Sequence, residues 1–315
     1  MVVELMDFKS ERLVIIGFGN QAKAWAQNLR DSGFEVAIYL RADSKSRTLA
    51  QELNFNLIEA NELKDYHTFA ILIPDEAHHA YINEIKNDLP SEACLLYAHG
   101  FSLLYQEILQ DFKEFNHVLL APKAIASELR FQYECKGGLG GVYSLEHVNS
   151  TELREHIINI GSKLGLKVLH ESTCEQETIA DLFSEQSILC SIIPYAAAKS
   201  FNKLIENGID QEVAYFECWY EVKLIVDTLI KIGPYEFFKL ISPNALLGSE
   251  VGKSLFFDME FEKKMEDMFH NIKSGNFVKS VQEQDVSQIK NDVLNFWKDQ
   301  KINNVHSQLK EKLFN

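Results

Sequence analysis

Paired cysteines are missing from this chain of 315 residues, and so is any surplus of positive charge. The five cysteines form no C-x-x-C motif and are odd in number, which argues against structural zinc and a disulfide framework. Lysine and arginine number 31 against 46 acidic residues, giving a formal net charge of −15. Proteins that bind nucleic acid normally carry a basic surface, so no nucleic-acid partner is predicted.

Long hydrophobic runs are missing as well. No stretch approaches the roughly 18 uncharged apolar residues of a membrane-spanning helix, so no membrane partner is predicted. The opening residues MVVELMDFKSERLV contain no apolar core typical of a signal peptide. We expect a soluble, cytoplasmic protein with about two domains.

Short apolar runs alternate with amphipathic stretches up to about residue 170. Apolar strands separated by helices predict a Rossmann-type α/β fold, a parallel sheet covered on both faces. The predicted strands are Leu13–Ile16, Glu35–Leu40, Thr68–Ile73, Cys94–Tyr97, Val118–Ala121, a piece after the glycine-rich turn at 137–141, and Leu166–His170.

Glycine becomes sparse after about Cys174, and apolar residues recur at three-to-four spacing, which indicates helices. We predict a nucleotide-binding domain over residues 1–173 and an all-α domain over residues 174–315. The final segment, 286–315, is polar and is expected to be a loosely packed helical tail. The clearest predicted helices are Asp181–Ile193, Asp210–Ile232 and Glu260–Ile272.

A glycine motif follows the first predicted strand. Gly17-Phe-Gly19-Asn-Gln-Ala22 is a G-x-G-x-x-A pattern in the strand–turn–helix context that dinucleotide binding requires. Gly17 permits a tight turn, Gly19 lets the backbone approach a pyrophosphate, and Ala22 allows close packing of helix on strand. The helix N-terminus then offers unpaired N–H groups to the phosphates.

The end of the second strand distinguishes the two nicotinamide cofactors. The run from Leu40 to Arg47 contains two arginines, a lysine and two serines, typical of a clamp for the 2′-phosphate of NADP. Asp43 instead favours the ribose hydroxyl of NAD, and a solvated helix start is a further alternative. The charge balance favours NADP, bound through Arg41, Ser44 and Ser46.

Two acidic pairs lie within apolar helical sequence, Asp181 with Glu185 and Glu217 with Glu221. A spacing of four residues places both carboxylates of a pair on one helix face, where they repel. Four hard oxygen ligands without cysteine or histidine suit Mg²⁺ rather than zinc. Solvated helix faces are the alternative, but apolar flanks around both pairs favour a metal site.

Several polar residues directly follow predicted strands. Ligands of open α/β sheets bind beyond the carboxyl ends of the strands, which makes His99 and Lys123 candidates for chemistry. Hydrogen bonding within the loops is the alternative. His78 and His79 also follow a strand end and are expected to be exposed residues in the first turn of a helix.

In this order, the motifs resemble those of ketol-acid reductoisomerases of the short type, over roughly residues 12–280. The matching stretches are Gly17–Gln21, Asn28–Gly33, Leu40–Arg41 with Ser44–Ser46, Ile73–Glu76, Ala98–Phe101, Ala121–Lys123, Asp181–Gln186, and Ala214–Cys218 with Glu221 and Lys223–Asp227. The last two are specific to this family among Rossmann enzymes.

The resemblance implies conversion of 2-acetolactate or 2-aceto-2-hydroxybutyrate to a 2,3-dihydroxy acid, a step of valine and isoleucine synthesis. In the family, two Mg²⁺ ions polarise the substrate, an alkyl group migrates and NADPH reduces the resulting ketone. The helical domain is then knotted, and the protein is a homodimer or a higher homo-oligomer.

The resemblance also implies roles for individual residues. Asp181 would bridge both ions and Glu185 would bind one, while the partner subunit would supply Glu217, Glu221 and the substrate-binding Ser242. His99, Lys123 and Glu221 would be catalytic. The implied cofactor contacts are Gly17, Phe18, Gly19, Asn20, Gln21, Arg41, Ser44, Ser46 and Pro74.

Four segments depart from the family pattern. Residues 124–127 read Ala-Ile-Ala-Ser instead of Gly-Pro-Gly-His, and 246–248 read Leu-Leu-Gly instead of Glu-Tyr-Gly. The strand at 137–145 lacks a Val-Pro pair, and residues 284–287 replace an Arg-Pro-Glu-Phe-like tail. Two alternatives follow: a metal-assisted NAD(P)H reductase of another 2-keto or hydroxy acid, or an inactive NADP-binding protein.

Overall fold

The computed structural model describes residues 8, 10–148 and 152–314. The chain folds into two compact units, Met1–Thr178 and Ile179–Asn315. No helix in the described part of the chain combines the length and apolar character needed to cross a bilayer. The first unit is built on a sheet, whereas the second consists of helices.

Eight strands form one sheet in the first unit: β1 (Arg12–Ile16), β2 (Glu35–Tyr39), β3 (Asn56–Ile58), β4 (Thr68–Ile71), β5 (Cys94–Tyr97), β6 (Asn116–Pro122), β7 (Leu139–His147) and β8 (Leu166–Glu171). Their spatial order is β3-β2-β1-β4-β5-β6-β7-β8. The first six strands are parallel, whereas β7 runs antiparallel to β6 and β8 runs parallel to β7. The predicted parallel arrangement is therefore confirmed for β1 to β6, whereas β7 and β8 run in the opposite direction to these six strands.

The helices of the first unit lie between these strands. They are α1 (Asn20–Asp31), α2 (Ser46–Glu52), α3 (His78–Ile85), α4 (Phe101–Tyr105), α5 (Ile108–Asp111), α6 (Ala126–Glu134) and α7 (Leu153–Leu164), with 3₁₀ turns at Ala60–Asp65 and Asp75–Ala77. The apolar pattern of the sequence also predicts a helix over residues 150–164, and its first two residues lie outside the described residues.

Both faces of the sheet are buried, which explains why its central strands are apolar without alternation. On one face, Leu13 and Ile15 of β1 pack in a cluster with Trp25 of α1. On the other face, Val14 and Ile16 join a cluster that contains Ile82 of α3. The carboxyl ends of the parallel strands β1, β2, β4 and β5 therefore meet at one edge of a sheet that is buried on both faces.

Helices continue through the second unit, and the first of them, α8, begins within the first unit at Cys174. They are α8 (Cys174–Ser184), α9 (Ile193–Glu206), α10 (Gln211–Tyr215), α11 (Glu221–Ile232), α12 (Pro234–Leu240), α13 (Pro243–Phe256), α14 (Met259–Lys273), α15 (Asn276–Glu283), α16 (Val286–Lys298) and α17 (Lys301–Phe314). Two π-helical segments, Glu185–Ile192 and Phe216–Tyr220, link α8 to α9 and α10 to α11.

The core of the second unit includes the end of the chain, so the expected loose tail is wrong for α17. Its Ile302, Val305 and Leu309 are 3–7% exposed and share a cluster with Phe201 and Tyr215. The hydroxyl of Tyr215 also lies 2.9 Å from Nδ1 of His306. Three apolar residues at helical spacing are sufficient to bury an otherwise polar helix.

Apolar surface elsewhere in this unit is uncovered. α11 and α13, whose residues are all described, contain no buried residue. Ile230 is 77% exposed, Leu247 69% and Phe256 70%. Surfaces of this kind mark interaction sites, because an isolated soluble chain rarely exposes contiguous apolar patches.

Candidate active site

A cavity of about 200 Å³ lies at the carboxyl ends of β1, β2 and β4 in the first unit. This is the edge at which open α/β sheets bind ligands. The lining residues are Gly17, Phe18, Gly19, Tyr39, Leu40, Arg41, Ser44, Leu72, Ile73, Pro74 and Tyr81. The glycine motif, the end of the second strand and Pro74 therefore line the same cavity.

The glycine loop is shaped to hold a phosphate group. Gly17 has φ +100°, and a Cβ there would lie 2.6 Å from the carbonyl oxygen of Leu72. A Cβ on Gly19 would meet no atom within 4 Å, so this face of the loop is open. No side chain caps α1, which leaves its first N–H groups directed at the same space. These residues fit a dinucleotide.

Substituting Gly17 with alanine should weaken both the fold and nucleotide binding. A positive φ and a clash with backbone together cost about 1–3 kcal/mol at a non-glycine residue. We expect a melting temperature several degrees lower, and weaker binding of NADPH in a fluorescence titration. Gly252→Ala is the control, because a Cβ there meets nothing within 4 Å. Equal behaviour of the two variants would contradict the proposed strain.

The two arginines after β2 have different surroundings. Arg47 donates to the carbonyl oxygen of Leu40 at 2.9 Å and to Oε1 of Glu59 at 3.1 Å. The guanidinium of Arg47 therefore holds the end of β2 through these hydrogen bonds. Arg41 is exposed and lines the cavity together with Ser44. Of the residues predicted to bind the 2′-phosphate, these two lie in the cavity wall.

Three predicted cofactor residues lie outside the cavity walls. Gln21 donates from Nε2 to the carbonyl oxygen of Ala124 at 3.3 Å, and Asn20 and Gln21 line a separate open groove of about 790 Å³. The backbone N–H of Ser46 donates to Oγ of Ser44 at 3.3 Å. The prediction missed Tyr39 and Tyr81, although Tyr39 lies within the predicted second strand, Glu35–Leu40.

His99 follows β5 at this same edge and is half-buried. Its Nδ1 accepts a hydrogen bond from the backbone N–H of Phe101 at 3.1 Å, so the neutral ring carries its proton on Nε2. The adjacent Gly100 packs directly on α8, since a Cβ there would overlap Thr178 and lie 2.6 Å from Sγ of Cys174. The loop that carries His99 is thus held at a fixed place.

Lys123 forms an ion pair that the sequence did not reveal. Its Nζ lies 2.5 Å from Oε1 of Glu177, whose side chain is 1% exposed. The second carboxylate oxygen of Glu177 is buried and has no hydrogen-bond partner among the described residues. Buried charges need pairing, and the ion pair with Lys123 satisfies only one of the two oxygens. The available signal was spacing, because Glu177 lies four residues before Asp181.

The predicted metal ligands remain as two separate pairs. Asp181 is half-buried, whereas Glu185, Glu217 and Glu221 are exposed. The described residues contain no group of three or more His, Cys, Asp or Glu that could hold a metal ion. Each pair nevertheless touches a π-helical segment, a feature that often marks functional sites.

Ser242 is exposed and caps α13, accepting from the backbone N–H of Ala245 at 3.2 Å. This role orients its hydroxyl at a helix N-terminus. Ser242, Glu217 and Glu221 lie in the second unit, whereas the residues of the cavity lie in the first.

Two family models together match most of the chain. Residues 7–168 match "Acetohydroxy acid isomeroreductase, NADPH-binding domain", and residues 174–314 match "Ketol-acid reductoisomerase, C-terminal domain". The chain is 32% identical to "Ketol-acid reductoisomerase (NADP(+))" of Campylobacter hominis, covering 88% of this chain and 82% of that protein. It is 33% identical to the enzyme of the same name from Sulfurimonas denitrificans, covering 86% and 81%.

Solved structures agree with this assignment. An NADH-preferring ketol-acid reductoisomerase from an uncultured archean superposes with a TM-score of 0.84 at 29% identity, covering 96% of this chain and 94% of that one. A semialdehyde dehydrogenase NAD-binding protein from Cupriavidus necator, at 14% identity and a TM-score of 0.65, shares the fold alone. The chain therefore belongs to the ketol-acid reductoisomerase family.

Proposed function

We propose that this protein is an NADP-dependent ketol-acid reductoisomerase. It would convert 2-acetolactate or 2-aceto-2-hydroxybutyrate to a 2,3-dihydroxy acid, using a nucleotide domain over 1–173 and a helical domain over 174–315. The observation that carries the proposal is the series of carboxylates at four-residue spacing, Glu177, Asp181 and Glu185, whose first member is buried on Lys123.

The proposed cofactor is NADPH, which would supply the hydride. The loop from Gly17 to Gly19 would approach its pyrophosphate, with N–H groups of α1 directed at the phosphate oxygens. Arg41 and Ser44 would hold the 2′-phosphate, since both residues line the cavity. Arg47 would not, because its guanidinium is hydrogen-bonded to Glu59. Asn20, Gln21 and Ser46 would contribute from the rim.

The proposed metal is a pair of Mg²⁺ ions. Carboxylate oxygens are ligands that Mg²⁺ prefers, and exposed oxygens such as those of Glu185 can reach an ion without rearranging the core. Asp181 and Glu185 would bind from one subunit, with Glu217 and Glu221 from another. Bound Mg²⁺ would supply Lewis-acid polarisation of the substrate oxygens.

The polar residues beyond the sheet would orient the substrate and move protons. His99 presents a protonated Nε2 in its neutral form and can donate to a substrate or water oxygen. Lys123 brings a positive charge to a chain whose net charge is −15, so it favours an anionic substrate. Glu177, buried against Lys123, would hold the Lys123 ammonium in position.

A second copy of the chain is the proposed macromolecular partner. The uncovered apolar residues of α11 and α13 need burial, and the two carboxylate pairs do not form one group within the described part of a single chain. A homodimer or higher homo-oligomer in which each site takes Glu217, Glu221 and Ser242 from a second subunit would satisfy both observations. Light scattering in solution would measure this assembly. We further propose that the protein acts in the cytoplasm.

The decisive experiment measures NADPH oxidation with 2-acetolactate in the presence of Mg²⁺ and, separately, of a chelator. We expect turnover with Mg²⁺ and none with chelator. A panel of 2-keto acids serves as the comparison, because residues 124–127 lack the histidine of the family pattern and residues 246–247 lack its glutamate and tyrosine. Reduction of a 2-keto acid without turnover of acetolactate would contradict the isomerase assignment. NADPH binding without turnover of any substrate would leave only the nucleotide-binding role.

Cofactor preference gives a separate prediction. Arg41→Ala should raise the KM for NADPH about tenfold or more and leave that for NADH unchanged, because it removes one charge-assisted hydrogen bond of about 1.5–3 kcal/mol. Arg47→Ala should affect both cofactors alike, since Arg47 holds the strand end. Steady-state kinetics with both cofactors would test this. An equal loss for NADPH and NADH in Arg41→Ala would overturn the assignment.

A further inference from the structure

His78 is buried, contrary to the expected exposed position. It is 2% exposed, and its neighbours in the α3 core are Tyr81, Ile82 and Ile85. Residues 78, 81, 82 and 85 form one helical stripe, so the histidine lies in phase with the apolar face. His79 is one position out of phase, and its side chain is 40% exposed.

The ring of His78 connects two loops that follow different strands. Its Nε2 lies 3.0 Å from the carbonyl oxygen of Ile73, after β4, and its Nδ1 lies 2.7 Å from Oγ of Ser102, after β5. A carbonyl oxygen only accepts, so Nε2 carries the proton and Nδ1 accepts from the serine hydroxyl. The serine is fully buried, which leaves water no access to these groups.

Burial favours the neutral ring of His78 over the charged ring. Burial lowers the pKa of His78, although the carboxylates of Asp75 and Glu76 oppose this shift and His99 adds to it. Nδ1 lies 3.8 Å from Oδ1 of Asp75, and burial raises the pKa of that carboxyl. The ring of Tyr97 packs at 5.6 Å.

Both loops carry residues of the candidate site. Ile73 and Pro74 form one wall of the nucleotide cavity. Ser102 lies in the first turn of α4, three residues after His99. A second bond joins the same two segments, since Nε2 of Gln106 donates to the carbonyl oxygen of Asp75 at 2.8 Å.

We propose that His78 is a positioning residue that sets the separation between the nucleotide wall at Ile73–Pro74 and the loop that carries His99. The part of this inference that concerns the nucleotide wall depends only on the cavity. The part that concerns His99 rests on the proposed function. His78 touches neither group and acts through the two backbone segments that it joins.

The test compares His78→Ala, His78→Gln and His78→Asn with His79→Ala. The control removes a neighbouring histidine whose Nε2 lies 2.8 Å from Oδ2 of Asp111 at the surface. The glutamine amide lies near the position of Nε2 and can still bond Ile73, whereas the asparagine amide lies near Nδ1 and can still bond Ser102. Fluorescence titration gives the Kd for NADPH, and kinetics with acetolactate give kcat.

Loss of both bonds in His78→Ala should weaken NADPH binding roughly tenfold and lower kcat by a similar factor, the size expected for unpaired buried groups. His78→Gln should restore the Kd more than kcat, and His78→Asn the reverse. His79→Ala should behave as the wild type. Different effects of these two variants on the Kd for NADPH and on kcat would indicate a positioning role. A general loss of stability would instead change the Kd, kcat and the melting temperature together.

The inference is overturned if folded His78→Gln and His78→Asn proteins show no difference of this kind, or if His78→Ala binds NADPH as the wild type does. Should His78→Ala fail to fold, the two amide variants decide the question. If the wild type does not turn over acetolactate, the proposed function fails separately. The Kd measurements still test the part of the inference that concerns the nucleotide wall.

Discussion

Asp181→Asn should lower kcat with acetolactate and NADPH by roughly 10²-fold or more, because one carboxylate ligand of a shared metal contributes several kcal/mol to transition-state stabilisation. NADPH binding should be unchanged, since the nucleotide cavity lies in the first unit. A Mg²⁺ titration of the variant should show a weaker apparent affinity. Asp292→Asn is the matched control, because Asp292 is an exposed helical residue that accepts from Gln288 at 2.8 Å.

Full activity of Asp181→Asn would mean that the metal assignment is wrong. A hybrid protein adds a sharper test of the shared site. Asp181→Asn and Glu217→Gln subunits, co-expressed with different tags, should give a heterodimer with one intact site and about half the wild-type activity. If instead all ligands came from one chain, both sites of the heterodimer would be defective and it would be inactive.

Glu177→Gln should also lower kcat by roughly 10²-fold, the effect found when one preorganised polar group is removed from an active site. The amide keeps the size of the side chain but removes the charge that pairs with Lys123 at 2.5 Å. Lys123 is 38% exposed and can turn to water, so the protein should remain folded. Steady-state kinetics and a melting curve measure the two effects.

Glu35→Gln is the control for this substitution, because Glu35 forms an exposed ion pair with Arg12. Surface pairs of this kind contribute only about 0–1 kcal/mol, so its activity should be unchanged. The double variant Lys123→Met with Glu177→Gln should be no slower than the worse single variant if the two groups act as a unit. Multiplicative losses would show that they act independently.

Local patterns could be predicted from sequence because their determinants lie within one turn of backbone. The glycine loop needs a positive φ at residue 17, which glycine adopts without strain. The parallel strands are covered on both faces and therefore need apolar residues on both. The three-residue strand β3 is too short to produce such a pattern. The direction of β7 and β8 is not encoded in an apolar run, so only the structure revealed it.

Contacts between distant segments could not be predicted. Lys123 and Glu177 are 54 residues apart, and no local rule pairs them. Arg47 donates to Glu59 in a different loop, a contact that the run from Leu40 to Arg47 does not show. Four-residue spacing placed each carboxylate pair on one face, but within the described residues the pairs form no group that could hold a metal ion.

The π-helical segment Phe216–Tyr220 has a consequence for insertions and deletions. A π-turn spans one residue more than an α-turn, so deleting Cys218 would let the segment close as an ordinary α-helix. The helix would survive, and because the wide turn absorbs its extra residue, α11 would keep its orientation relative to α10, which stays packed on α17. Glu217 and Glu221 would then be three residues apart instead of four across the wide turn. The π-turn therefore sets the spacing of these two carboxylates without changing the face that α11 presents.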